Sequence, residues 1–213
     1  MSTDPLPPRP YHHGDLRPVL VAAAVAAIAE DGLAGLSVRA VARRAGVTHA
    51  AATYHFGGKA GLLTAVAAEG FRLLADDLGA AWRATGSPLE VGVAYVRFAL
   101  ARRPYFAVMY QPDLLLVDDP ELVAAKSATA SLLYGGPEPG PERLAAGAAA
   151  WSIVHGLATL WVSGNLPPAL GDDPEAVTRL VAAHLRLPPG VAAVPAGFAG
   201  PVPPAADDPS PPG

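Results

Sequence analysis

A glycine that separates two short amphipathic segments constrains this chain more than any other feature of its sequence. Ser37 is a good N-cap residue, and apolar residues at helical spacing after it predict a short helix that ends near Ala45. Gly46 can adopt the left-handed conformation that a sharp turn requires, and the Thr48 hydroxyl can cap a second helix over residues 49–56. Two short helices joined by a glycine-containing turn form a helix-turn-helix, whose second helix can enter a DNA major groove.

The polar residues of these two segments suit contact with nucleic acid. Arg39, Arg43 and Arg44 place positive charge on the first segment. The second segment carries hydroxyl, imidazole and phenol groups, on Thr48, His49, Thr53, Tyr54 and His55. Such groups can bond phosphates or base edges. On pattern alone, an ordinary helical hairpin with solvated arginines is the alternative.

The charge of the chain is unevenly distributed. Its net charge is −4, but residues 9–59 have a net charge of +3, whereas residues 60–213 have a net charge of −6. A basic head on an acidic body is typical of a DNA-binding module attached to a second module.

Composition and motifs exclude several classes of protein. A chain of 213 residues that is 51% hydrophobic and 16% charged is expected to fold. Without cysteine it has no disulfide or thiolate nucleophile, and it lacks Gly-x-Ser-x-Gly, His-Glu-x-x-His and phosphate-loop motifs. We therefore expect no enzyme activity, no cofactor and no metal. The adjacent His12 and His13 are interpreted as solvated arm residues rather than half of a metal site.

No apolar run appears long enough to span a membrane, and prolines occupy the N-terminus where a signal peptide needs apolar residues. These observations predict a cytoplasmic protein. Helical periodicity without alternating strand patterns predicts an all-α fold. The expected organisation is a flexible arm (1–14), a helix-turn-helix domain (15–58), a helical effector-binding and dimerisation domain (59–187) and a disordered proline-rich tail (188–213).

Bulky side chains in the second domain suggest an apolar effector pocket with a few polar groups. The candidates are Trp82, Phe98, Tyr105, Phe106, Met109, Tyr110, Trp151 and His155. A plain hydrophobic core is the alternative for each of them. His155 lies one helical turn from Trp151, so it either has a fixed partner or faces a cavity.

Small residues dominate one face of residues 142–164 and of 174–187. They allow close helix approach, which fits either a four-helix interface in a homodimer or an intramolecular core.

Residues 15–66 resemble the DNA-binding head of the TetR family of bacterial repressors. The matching features are the helix ending at Gly32, the stretch SVRAVARRAGVT, the aromatic YHF, and Lys59 followed by Leu62 and Leu63. Residues 151–166 also resemble the Trp-His-Gly helix of one branch of that family. The resemblance implies a homodimer that reads a palindromic operator in double-stranded DNA and binds a small-molecule effector. It favours the dimer interface for residues 142–164 and 174–187.

By position, the resemblance places one group of residues nearest the bases and another at phosphates. The first group is Arg39, Thr48, His49, Ala50 and Ala51, and the second is Tyr54, His55 and Lys59. Three departures from the family pattern stand out: Thr53 replaces the usual tyrosine, Gly57 and Gly58 replace a polar pair, and Ala60 replaces an acidic residue.

The sequence thus predicts a ligand-responsive transcriptional repressor. The alternative is an all-helical small-molecule-binding or partner-docking protein whose helix-turn-helix no longer reads DNA.

Overall fold

The computed structural model describes residues 16–136 and 138–184, and in this part of the chain all regular secondary structure is helical. Nine α-helices occur there: α1 Leu16–Gly35, α2 Val38–Arg44, α3 His49–Phe56, α4 Lys59–Thr85, α5 Pro88–Ala101, α6 Arg103–Met109, α7 Pro120–Tyr134, α8 Pro141–Val162 and α9 Pro174–Ala182. Short 3₁₀ turns form at Pro112–Leu114 and Pro168–Leu170. The all-α prediction is confirmed. The predicted arm, the Asp15 cap, the predicted tail and the end of the last helix beyond residue 184 lie outside the described residues.

Local signals placed most helix ends correctly, whereas α6 was not foreseen as a helix. Pro104 is the second residue of α6, a position where proline is tolerated because the backbone N–H there has no partner within the helix. The proline therefore helps to start a helix where the sequence suggested only an aromatic segment.

The chain divides into two compact units. Among the described residues, one comprises 16–67 and 104–119, and the other comprises 68–103, 120–136 and 138–184. Helix α4 contributes residues to both units. Residues 104–119 group with the N-terminal unit, although the sequence assigned them to the effector domain, and the predicted boundary after residue 58 stays a prediction.

Helices α1, α2 and α3 pack around one apolar core in the first unit. Gly32 interrupts α1 with a φ of 71°. The buried side chains of this core include Leu20, Ala24, Ile28, Val38, Val41, Ala42, Ala52 and Phe56. The guanidinium carbon of Arg17 lies over the Phe56 ring, 5.7 Å from the ring centroid. Arg17 of α1 thereby covers Phe56, the buried residue that anchors α3.

Two glycines shape the junction between α3 and α4. Gly57 ends α3 with a left-handed φ of 67°, and its N–H donates to the Thr53 carbonyl at 2.7 Å. At Gly61, in the first turn of α4, an added Cβ would lie 1.9 Å from the Phe56 carbonyl oxygen. Because that distance is far inside van der Waals contact, only glycine lets the end of α3 approach α4 this closely.

The second unit is held by apolar packing of α5 against α8 and α9, and by polar contacts at its edges. Arg179 of α9 donates from Nε and Nη2 to the two carboxylate oxygens of Glu90 on α5, at 3.0 and 2.9 Å. The hydrogen bonds from Arg179 lower the pKa of Glu90 below its ordinary value. Within the same unit, the buried Thr129 hydroxyl of α7 donates to the Phe71 carbonyl of α4 at 2.9 Å.

The sequence predicted no apolar run long enough to span a bilayer, and the two described helices that pass a test of length and hydropathy are not convincing membrane spans. Among the described residues, α1 and α8 are long and apolar enough to cross a bilayer, with mean hydropathies of 1.5 and 1.3. Both are rich in alanine, which raises the hydropathy of a helix without making its surface strongly apolar. The buried face of α1 packs in the core of the first unit, as expected for a helix of a folded domain. One or two such helices are weak evidence for a membrane protein.

We predict that Gly61→Ala destabilises the protein by more than about 2 kcal/mol, because a methyl group has no room beside a backbone oxygen. Urea denaturation followed by circular dichroism measures the effect. Ala60→Ser is the matched control, since it adds one heavy atom at the exposed neighbouring position and should change stability by less than about 0.5 kcal/mol. Equal midpoints for the two variants would contradict the close contact.

Candidate functional site

Side-chain caps define both helices of the helix-turn-helix. The Ser37 hydroxyl accepts from the Ala40 N–H at 3.2 Å, and the Thr48 hydroxyl accepts from the Ala51 N–H at 3.1 Å. Between the helices, Gly46 has a φ of 70° and the Val47 N–H donates to the Ala42 carbonyl at 3.0 Å. The predicted caps and turn are therefore present, and α3 starts with a defined orientation after the turn.

One face of α3 is buried and the other is open to solvent. Ala52 and Phe56 anchor the buried face, and Tyr54 is 88% exposed. The rings of Tyr54 and His55 make an edge-to-face contact, with centroids 5.8 Å apart. Tyr54 thus contributes little to the core, and its ring is available to a binding partner.

The structure brings most of the predicted DNA contacts to this open surface. Two of the predicted contacts, Ala51 and Thr53, are half-buried. The exposed ones are Arg39, Thr48, His49, Ala50, Tyr54, His55 and Lys59. The three successive alanines of α3 thus differ in role, since Ala52 is an anchor whereas Ala50 lies in the open. The individual base and phosphate contacts stay predictions, as does the displacement of an aromatic contact from Thr53 to Tyr54.

The arginines of α2 are not equivalent. Arg44 forms a bidentate ion pair with Glu30 of α1, which lowers the pKa of Glu30 through the hydrogen bonds and ties α2 to α1. Arg39, Arg43 and Lys59 form no ion pair with any residue of 16–136 or 138–184. They are the cations of this surface that can meet phosphate.

A cavity of about 270 Å³ lies within the second unit. Residues of α4, α5, α7, α8 and α9 line it, and most of its wall is apolar. Trp82, Tyr95, Tyr134 and Trp151 supply aromatic surface, and Arg143 supplies the only charge among the described lining residues. A concave apolar site with few polar groups is the usual form of a small-molecule site.

The hydroxyl of Tyr95 connects α5 to α8 at this cavity. It accepts a hydrogen bond from Trp151 Nε1 at 3.2 Å and lies 2.8 Å from His155 Nδ1. The indole nitrogen of Trp151 can only donate, so the Tyr95 hydroxyl oxygen accepts from it. The proton of that hydroxyl is then best directed at an unprotonated Nδ1 of His155. Burial lowers the pKa of His155, which also favours the neutral ring. Of the two readings left open for His155, the structure supports a fixed partner.

The structure does not gather the predicted pocket residues into one site. Trp82 and Trp151 line the cavity, and His155 lies behind Tyr95. Phe98 is buried in the core of the second unit. Tyr105, Phe106, Met109 and Tyr110 belong to the first unit and do not line the cavity, with Met109 buried in that unit. The spacing of aromatic residues along the sequence could not distinguish core residues from cavity-lining residues, because both lie on the apolar face of a helix.

Three residues that matter at these sites were missed. Tyr95 and Arg143 were given no functional role by the sequence analysis, and Gly61 was not singled out. Arg143 had a usable signal, since a cation in the first turn of a helix opposes the helix dipole. Within residues 16–136 and 138–184, no group of three or more His, Cys, Asp or Glu side chains is placed to hold a metal ion. His12 and His13 lie outside that part of the chain.

Known proteins resemble this chain in sequence and in fold. Residues 20–66 match the profile of bacterial regulatory proteins of the tetR family, and residues 89–185 match a tetracyclin repressor-like C-terminal domain. The HTH-type transcriptional regulator BetI of Rhizobium meliloti (strain 1021) is 28% identical over 183 residues, which cover 80% of this chain and 89% of that protein.

Solved structures agree with the sequence matches. A protein of unknown function from Rhodococcus sp. RHA1 is 34% identical with a TM-score of 0.68, covering 83% of this chain and 96% of that one. A TetR family transcription regulator from Marinobacter aquaeolei VT8 is 19% identical with a TM-score of 0.55, covering 78% and 93%, and shows the shared fold.

The predicted resemblance to the family is confirmed, whereas membership of the Trp-His-Gly branch stays a prediction. With a capped, exposed recognition helix in one unit, an apolar cavity in the other and both family profiles matched, this chain belongs to the TetR family of bacterial transcriptional regulators, which bind DNA and respond to ligands.

Proposed function

We propose that this regulator represses transcription as a homodimer on a palindromic operator, and that a small molecule in the cavity of the second unit releases it. The observation that carries the proposal is the open face of α3, whose exposed Tyr54 and His55 adjoin cations without ion-pair partners among the described residues. Regulators of this family are cytoplasmic, and we place this chain there as well.

The charges of the helix-turn-helix assign different tasks to its residues. Lys59 at the start of α4 and Arg43 at the end of α2 suit phosphate contacts, which position α3 without reading sequence. Arg39 has the fork geometry that recognises guanine in the major groove. Ala50 and Thr48 permit close approach of the helix to base edges. Binding is therefore expected to weaken steeply as salt increases, because phosphate contacts release counterions.

The exposed apolar residues of α8 and α9 support a dimer. Leu144, Leu160 and Val162 of α8 are 46%, 44% and 38% exposed, and Leu180 of α9 is 53% exposed. A second copy of the same helices would cover these side chains and complete the predicted interface over residues 142–164 and 174–187. A palindromic operator then follows from the two-fold symmetry, since each subunit presents one α3.

Release requires a ligand that binds one geometry of the protein better than the other. Helix α4 is continuous from Lys59, a predicted phosphate contact, to Thr85, and it includes Trp82 of the cavity wall. A ligand that shifts this helix in the second unit thereby changes the position of a residue of the DNA-binding surface. We propose this shared helix as the mechanical connection between effector and operator.

We predict that Arg39→Ala weakens operator binding by about 1–3 kcal/mol, that is roughly fivefold to 150-fold, because it removes a base or phosphate contact. Arg44→Ala on the same helix is the matched control, and it should weaken binding less than about threefold because Arg44 is already paired with Glu30. Gel-shift titrations on the DNA upstream of the gene, at two salt concentrations, measure both. Binding that is absent, or insensitive to salt and to both substitutions, would support a helical binding protein that no longer reads DNA.

We predict that Leu160→Glu converts the dimer to a monomer and lowers operator affinity by at least about tenfold, because a carboxylate cannot be buried unpaired in an apolar interface. Leu116→Glu is the control, since Leu116 is also exposed, at 52%, but lies outside α8 and α9. Sedimentation equilibrium gives the mass and gel shift gives the affinity. If the Leu160→Glu protein stays dimeric, the dimer interface does not include this part of α8.

A further inference from the structure

The cavity of the second unit differs from an ordinary apolar core because its wall carries a positively charged residue. Arg143 lines it and is the only charged residue among the described residues of its wall. The other polar side-chain groups of the described wall are the hydroxyls of Tyr95 and Tyr134 and the indole N–H groups of Trp82 and Trp151, and none of them is a carboxylate. Those of Tyr95 and Trp151 are already hydrogen-bonded to each other, and the Tyr95 hydroxyl is also bonded to His155. A wall that offers donors and a positive charge is complementary to a ligand that offers acceptors and a negative charge.

Arg143 has no acidic partner among the described residues. Its Nη1 donates to the Gly135 carbonyl at 3.2 Å, and this is its one hydrogen bond there. Other arginines of the described chain do pair with carboxylates; these are Arg44, Arg72, Arg97, Arg102 and Arg179. A half-buried guanidinium with most of its five N–H groups unused retains capacity for a further acceptor.

The position of Arg143 in its helix argues against a purely structural role. It lies in the first turn of α8, where the helix dipole presents partial positive charge, and the N-cap residue Gly140 provides no side-chain hydrogen bond. A cation there reduces helix stability, whereas an anion nearby would interact favourably with both the dipole and the guanidinium. Glu142 of the same turn is exposed and does not line the cavity.

The stem of Arg143 is held by a glycine. Gly135 has a φ of 83°, and an added Cβ would lie 2.5 Å from Cδ and 2.8 Å from Cγ of Arg143. Any larger residue at position 135 would displace the arginine. The local backbone is thus shaped to leave room for this side chain against the cavity wall.

The size and surface of the cavity limit the rest of the ligand. At the packing density of protein interiors, about 270 Å³ accommodates roughly a dozen non-hydrogen atoms. Apart from the polar groups above, the wall is formed by aliphatic and aromatic side chains such as Leu132, Leu133, Ile153 and Val154. The ligand body must therefore be apolar, because a second polar group would be buried without a partner.

We infer that the cavity binds a small organic anion, consisting of an apolar aromatic or alkyl body and a single carboxylate that Arg143 holds through its guanidinium fork. A planar guanidinium matches a carboxylate in a bidentate arrangement, which adds orientation to affinity. The inference deepens the proposed function, on which it rests in taking this cavity as the effector site.

The test compares ligands that differ only in charge. Binding of 3-phenylpropanoate and of octanoate to the full-length protein is measured by calorimetry at pH 7, beside the corresponding neutral amides and 3-phenylpropylammonium. Each carboxylate should bind at least about tenfold more tightly than its amide, since a charge-assisted bidentate contact is lost in the amide. The ammonium ion should bind more weakly than either.

Substitutions test whether Arg143 causes the preference for carboxylates over amides. Arg143→Gln should reduce the ratio of carboxylate to amide affinity to less than about twofold, and Arg143→Lys should keep part of it. Arg83→Gln is the matched control, because it removes the same charge from the same unit at an exposed position that does not line the cavity. If Arg143→Gln does not fold, the carboxylate-to-amide affinity ratios of the wild type and of Arg143→Lys test the inference instead. Amides that bind as well as carboxylates, no binding of either carboxylate below about 1 mM, or a ratio unchanged in Arg143→Gln would overturn the inference.

Gel shifts with the same ligands separate this inference from the proposed function. Carboxylate binding through Arg143 that leaves the DNA complex intact would support the cavity chemistry and contradict its role as the effector site. Release of DNA by the amides or the ammonium ion, with no preference for carboxylates, would support the effector site and overturn the anion.

Discussion

The contact between the end of α3 and the start of α4 is the constraint on which the DNA-binding surface depends. Phe56 is buried beside the ring-stacked Arg17, and its carbonyl oxygen lies where any side chain at Gly61 would clash. Because the end of α3 is fixed this tightly, the exposed face of that short helix has one orientation in its unit. An eight-residue helix has little stability alone, so the position of Tyr54 comes from this anchoring rather than from helix propensity.

The arginines of this protein show how tertiary pairing divides one residue type into different roles. Arg44 is neutralised by Glu30, and Arg179 is neutralised by Glu90, so both hold helices together. Their exposure means that each pair contributes little energy, and their effect is mainly on orientation. Arg39 and Arg143 lack such partners among the described residues, and each lines a surface with a deficit of negative charge. At each of these surfaces an unpaired guanidinium group can bind an external anion.

The sequence predicted what is encoded locally and failed where the answer is non-local. Ser37 and Thr48 cap the helices that they were expected to cap, because a cap depends on residues three positions away. The partner of Arg44 lies 14 residues away, and that of Tyr95 lies 60 residues away, so no spacing rule could reveal either. The aromatic residues near Tyr105 illustrate the same limit, since a stripe on a helix does not say which unit it packs in.

Tyr95 connects the chemistry of the cavity to the packing of the second unit. Its hydroxyl joins Trp151, which lines the cavity, to His155, whose pKa burial lowers. A histidine with a depressed pKa stabilises the fold above its ordinary value of 6.5, and that stability is lost as the pH falls toward the folded value. The neutral ring therefore keeps the Tyr95 proton engaged at neutral pH and holds α5 against α8. A ligand that contacts Trp151 or Tyr95 meets polar atoms that already have partners, so the charged donor that can hold its carboxylate is Arg143.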